Sequence, residues 1–98
     1  MKLDDLLPLI KSRCYIVSAV FDDEIKSLIS SAIIDCQESG ISETVFEEDT
    51  ESDDLIINCL VAYVKAHRGN DRSDTEQYMK MYESIRDKMT QLAKYKRW

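Results

Sequence analysis

His67 is the only histidine in 98 residues, and a hydrolytic triad needs a histidine held by an acid and facing a nucleophile. The chain has no nucleophile elbow and no glycine-rich loop to accompany it. Beside Lys65 and Arg68, at the end of an apolar run, His67 reads instead as a partner for the negative end of a helix dipole. Cys14, Cys36 and Cys59 are an odd number at wide spacing, with no CxxC pair and no histidine cluster to complete a zinc set. Cys36 and Cys59 fall on apolar helical stripes, where a thiol acts as a small hydrophobe. Free, reduced thiols are expected. Carboxylates gather at Glu43, Glu47, Glu48, Asp49, Glu51, Asp53 and Asp54, without the spacing, central glycine or final bidentate glutamate of a calcium loop. No catalytic residue, metal set or cofactor emerges, so the expectation is a protein that is not an enzyme.

What remains is the chemistry of surfaces. Lys94, Tyr95, Lys96, Arg97 and Trp98 interleave cations with rings at the C-terminus. On a nucleic acid the cations would meet phosphates and the rings would stack. At a protein interface the same residue types anchor the buried centre, and this is the preferred reading. Trp98 and Tyr95 are the expected anchors and Arg97 the partner of an acidic site. Read as such a tail, residues 94–98 could be removed with melting nearly unchanged.

Charge is distributed as unevenly as these motifs. The net charge is -6, yet residues 1–54 hold 14 acids and four bases while residues 55–98 hold five acids and nine bases. Such a chain suits head-to-tail or face-to-face assembly with a complementary partner and lacks the dominant basic surface that wraps nucleic acid. Met1–Asp5 lacks the apolar stretch expected of a secretory signal, and the longest mostly apolar run, Leu55–Val64, is too short to span a bilayer. The expectation is a chain folded in a reducing cytoplasm, with no membrane partner.

The elements that must position these residues are helical. Two glycines and one proline supply too few turns for a many-stranded sheet, and 98 residues make one domain. A first helix is expected over Leu3–Cys14, starting late or bending at Pro8. Tyr15–Phe21 is β-branched and apolar, strand-like by propensity, but with no second strand nearby it reads as a buried connector. The spacing of Ile25, Leu28, Ile29, Ala32, Ile33 and Cys36 predicts a second helix over 22–39, with Asp22 as N-cap and Gly40 as stop. A mobile acidic loop over 42–54 comes next. Ser52 or Asp53 then caps a third helix, Asp54–Arg68, apolar all round and therefore central, with Gly69 ending it. Ser73 and Glu76 suggest a capping box for a fourth helix carrying Tyr78, Tyr82, Ile85, Met89 and Leu92. The fold class is all-α, a bundle of about four helices with core positions Leu28, Ile33, Leu60, Val64, Tyr82 and Ile85.

Phe21-Asp22-Asp23-Glu24-Ile25, Gly40-Ile41, Asp54-Leu55-Ile56, Tyr63-Val64-Lys65-Ala66, Gly69, Tyr78 and Tyr82-Glu83-Ser84-Ile85, in this order and spacing over about residues 3–92, resemble the head-tail connector (adaptor, "DNA-packaging protein") family of tailed bacteriophages and prophages. Many members have Asp-Pro before the third helix, where this chain has Asp54-Leu55. The resemblance implies a virion protein at the head-tail interface, made in the bacterial cytoplasm. It would form a homo-oligomeric ring, dodecameric in the virion, beneath the portal protein, extend the DNA channel and receive the stopper or tail-completion protein. DNA would pass without specific binding. Glu43, Glu47, Glu48, Asp49, Glu51 and Asp53 would then line the channel or its mouth, and Lys94–Trp98 would dock on the portal or a neighbouring subunit. The rival readings are a small helical DNA-binding regulator and a cytoplasmic protein-protein adaptor.

Overall fold

A computed structural model describes residues 1–47, 50, 53–68 and 72–96, with the backbone alone at 72 and 73. Its described residues form an all-α bundle: α1 (Leu3–Arg13), α2 (Asp22–Glu38), α3 (Asp54–Arg68) and α4 (Arg72–Gln91), with 3-10 turns at Ala19–Phe21 and Glu43–Phe46. Helix α3 is central because it is apolar on nearly every side. Ile56, Ile57, Cys59, Leu60, Val61, Ala62, Val64 and Ala66 are all buried, and α1, α2 and α4 each pack on it. The molecule measures 38 × 30 × 19 Å. Its thin dimension is about two helix diameters, so the helices lie in two layers.

Each helix end has a local cause. Asp53 Oδ1 accepts from the Ile56 amide at 3.0 Å, capping one of the orphan donors of α3; Gly69 lies outside the described residues. Helix α2 stops in a Schellman turn: the Gly40 amide donates to Gln37 O at 3.2 Å and the Ile41 amide to Cys36 O at 3.1 Å. Gly40 has φ 111°, where a side chain would be strained. The expected N-cap of α2 is displaced. Asp22 is its first helical residue, Phe21 holds the cap position without a side-chain bond, and the Asp22 carboxylate meets Lys11 Nζ at 2.6 Å. A first-turn aspartate already benefits from the dipole, so its side chain is free to make a charge-assisted bond to another helix.

Pro8 sits inside α1, which starts at Leu3, and its ring is exposed. Helix α1 also ends in a Schellman turn, with the Tyr15 amide donating to Ser12 O at 3.2 Å and the Ile16 amide to Lys11 O at 2.9 Å. Here the left-handed position is held by Tyr15, φ 59°, where glycine is usual. Beyond this turn the chain is not the buried connector expected of Tyr15–Phe21. Ile16 returns to pack against the core, while Val17 and Val20 are 96% and 83% exposed. Lys11 and Asp22 hold the two ends of the segment together, so the residues between them bulge outward.

Leu60, Val64 and Tyr82 are completely buried, whereas Leu28, Ile33 and Ile85 are half-buried at the edge of the core. The inward residues of α2 are Ile25, Ile29, Ala32 and Cys36; at 100° per residue Leu28 and Ile33 lie about 70° to either side of them. On α4, Tyr82 and Met89 are buried and Leu92 is exposed beyond the helix end. The proposed capping box is not at the cap, because Arg72 is already helical and Ser73 sits in the first turn.

Candidate assembly surfaces

Helices α2 and α4 are joined by a polar contact that the apolar pattern did not reveal. Tyr82 Oη donates to Asp35 Oδ2 at 2.6 Å, and Arg86 Nη1 donates to the same oxygen at 2.8 Å. Burial works to raise the Asp35 pKa, but these bonds and the Arg86 charge outweigh it and hold the carboxyl below its ordinary value. Burial and the bond to Asp35 push the Tyr82 phenol up. Cys36 Sγ lies 3.6 Å from Tyr82 Oη, and the Cys59 thiol, pushed up by its bond to Cys36 and by burial, stays protonated. This cluster ties α2 to α4, with Tyr82, Cys36 and Cys59 buried and Asp35 and Arg86 at its part-exposed edge. Among the described residues no group of three or more His, Cys, Asp and Glu is placed to hold a metal ion, and no helix is long and apolar enough to cross a membrane.

The acidic segment and the C-terminal segment meet. Asp53 Oδ2 accepts from Tyr95 Oη at 2.6 Å and from Lys94 Nζ at 3.1 Å. The Ser42 amide donates to Tyr95 O at 2.7 Å, and Ile41 and Lys96 form an isolated antiparallel bridge. Tyr95 is 5% exposed. It is therefore an anchor for this chain's own core, which corrects its expected role in holding a partner. Asp53 serves within the chain as a helix cap and latch. Burial raises its pKa, and the bonds from Tyr95, Ile56 and Lys94 prevail and lower it. Glu43 and Glu47 are exposed on a segment that is folded, with Val45 in the core and Thr50 Oγ1 donating to Thr44 O at 2.8 Å. Within the expected mobile loop of 42–54, Glu43–Phe46 form a 3-10 turn. Glu48, Asp49, Glu51, Arg97 and Trp98 lie outside the described residues, and Lys96 is exposed.

A groove runs along α3. One end, a cavity of about 400 Å³, is bounded by Tyr15, Lys65, Arg68 and Tyr78; the other, of about 490 Å³, by Arg13, Val61, Ala62, Met81 and Ile85. They share Lys65 and Tyr78. Lys65 Nζ stands 5.9 Å from the Tyr15 ring and 5.3 Å from the Tyr78 ring, within cation-π range of both, and has no ion pair among the described residues. Arg13 and Arg68 are occupied, by Asn58 at 2.7 Å and by Glu24 at 2.8 Å. Beside the groove projects the 15–21 segment, shaped by Ser18 Oγ accepting from the Val20 amide at 3.2 Å and by Arg68, whose guanidinium carbon lies 4.5 Å from the centre of the Phe21 ring. Sequence reasoning missed both groove and projection. Apolar residues between two helices look like core until the turn that throws them outward is known.

A family model described as Phage connector protein matches residues 6–96. No curated protein matches the chain, and no solved structure does. The match extends past α4 into the C-terminal segment through Lys96, which fits the packing of Tyr95 against the core.

Proposed function

Because the chain belongs to the phage connector protein family, a family of structural proteins of the virion, we propose that it is a head-completion subunit. Copies form a ring beneath the portal, extend the DNA channel and present the surface on which the stopper or tail docks. The family match over residues 6–96 is the observation that carries this reading. The chain's physical character supports it. An acid-rich first half and a base-rich second half suit contacts between unlike surfaces of identical subunits, as a ring requires. Exposed Glu43 and Glu47, with Glu48, Asp49 and Glu51 next in sequence, would repel duplex DNA from a channel wall or mouth. Lys96, Arg97 and Trp98 remain the part of the C-terminal segment proposed to meet the portal or a neighbouring subunit.

The test is reconstitution. Purified protein added to DNA-filled, portal-bearing heads that lack it should cosediment with them, add a ring of density below the portal in electron micrographs, and stop DNA leakage. Failure to bind such heads would overturn the proposal.

A further inference from the structure

Two features of this surface have no partner among the described residues, and each supplies what the other lacks. The first is the projection. Val17 and Val20 are almost wholly exposed, and the acidic start of α2 adjoins them. There Asp22 is engaged by Lys11 and Glu24 by Arg68, while Asp23 is exposed and has no ion pair among the described residues. The second is the groove, with an apolar floor at Val61 and Ala62, an apolar wall at Met81 and Ile85, and the cation Lys65 between two rings. The projection is apolar then acidic; the groove is apolar then net basic, with Lys65 and Arg68 against the one acid Asp74 among its described lining.

Intramolecular filling is blocked. The Schellman turn at Tyr15 and the Lys11–Asp22 ion pair fix both ends of the segment, which holds Val17 and Val20 away from the core. Tyr15 adds a second sign of purpose. A bulky side chain in the left-handed region is strained and persists where surrounding structure imposes it, and this one is 89% exposed, forming a groove wall rather than filling a core. We propose that the projection of one copy, Val17 to Asp23, inserts into the α3–α4 groove of a second copy, with Val17 and Val20 against Val61 and Met81 and Asp23 against Lys65. Projection and groove are different surfaces, so the contact is heterologous and can propagate around a ring. The inference rests on the connector reading and adds to it which surfaces join the subunits.

The experiment places a photoreactive benzoylphenylalanine at position 20 of the full chain and irradiates it after addition to portal-bearing heads. The expected product is a covalent subunit dimer, with the link mapping to residues 58–65 or 78–85. Asp23→Lys and Lys65→Asp, both at solvent-accessible positions, should each lower its yield at least fivefold, and the double variant should restore it. Circular dichroism of each variant checks that it folds. Links that map to the portal, to a tail protein or to another face, on heads the protein still joins, would overturn this inference and leave the connector reading standing. Absence of the protein from the heads would overturn both.

Discussion

Among the described residues two left-handed positions, Gly40 and Tyr15, end helices, and they carry opposite consequences. At Gly40, φ 111°, no atom lies within 4 Å of where a Cβ would stand, so Gly40→Ala meets no clash and its cost is backbone strain alone. About 1 kcal/mol is expected, read as a shift in the urea midpoint. At Tyr15 the strain is already present, and Tyr15→Gly should relieve it. Stability should rise by about 1 kcal/mol, and the melting temperature of a domain this size by about 4–8 °C. Asp53 is the third residue with a sharp expectation. Its pKa lies below 3.8, the ordinary value, so the stabilisation it provides is complete above that pH and is lost as pH falls through the folded value. Asp53→Asn should cost about 1 kcal/mol at pH 7 through the weakened cap and latch. The gap between variant and parent in urea titrations should narrow progressively below about pH 4.

Among the elements, α3 decides whether the bundle holds. Leu60 is fully buried at its middle, and Leu60→Ala should cost about 2–5 kcal/mol, a large share of what a small domain has. The range of α3 was legible to the residue, Asp54–Arg68, because an apolar run bounded by an acid and by cations admits one placement. The end of the chain was not legible in the same way. A short basic-aromatic sequence after a helix looks like a tail, and nothing local signals that Tyr95 finds Asp53, 42 residues earlier in the chain. Composition could not show that Val17 and Val20 face outward either, since the turn responsible depends on a tyrosine in a conformation usually left to glycine. The assembly surfaces were hidden for that reason, while the helices that frame them were readable from periodicity. The correction at Tyr95 reverses an expectation about truncation. Removing residues 94–98 should lower the melting temperature by several degrees, through loss of a buried ring and of the bridge to Ile41. Tyr95→Ala alone should reproduce most of that loss, measured by thermal circular dichroism.

At the scale of the molecule the proposed ring raises the question of how subunits of net charge -6 would surround DNA without holding it. Binding to duplex DNA rises with the number of phosphates that cations neutralise. Among the described residues three cations of the base-rich half are engaged: Arg68 by Glu24, Arg86 by Asp35 and Lys94 by Asp53. The exposed acids Glu43 and Glu47 oppose binding on the other side of the balance. Free protein should therefore show no binding to a fluorescent duplex of about 30 base pairs at about 0.15 M salt, with any binding at about 0.05 M weaker than about 100 µM. Glu43→Lys with Glu47→Lys brings the net charge to about -2 and leaves the described core untouched, so melting should change little. That variant should acquire weak, sequence-independent binding at the lower salt that vanishes at the higher. Assembled on heads it should still close the portal while slowing DNA release, if residues 43 and 47 face the duplex as proposed. Normal release from such heads would remove residues 43 and 47 from the channel, and sequence-specific binding by the unmodified protein at the higher salt would favour a regulator over a connector.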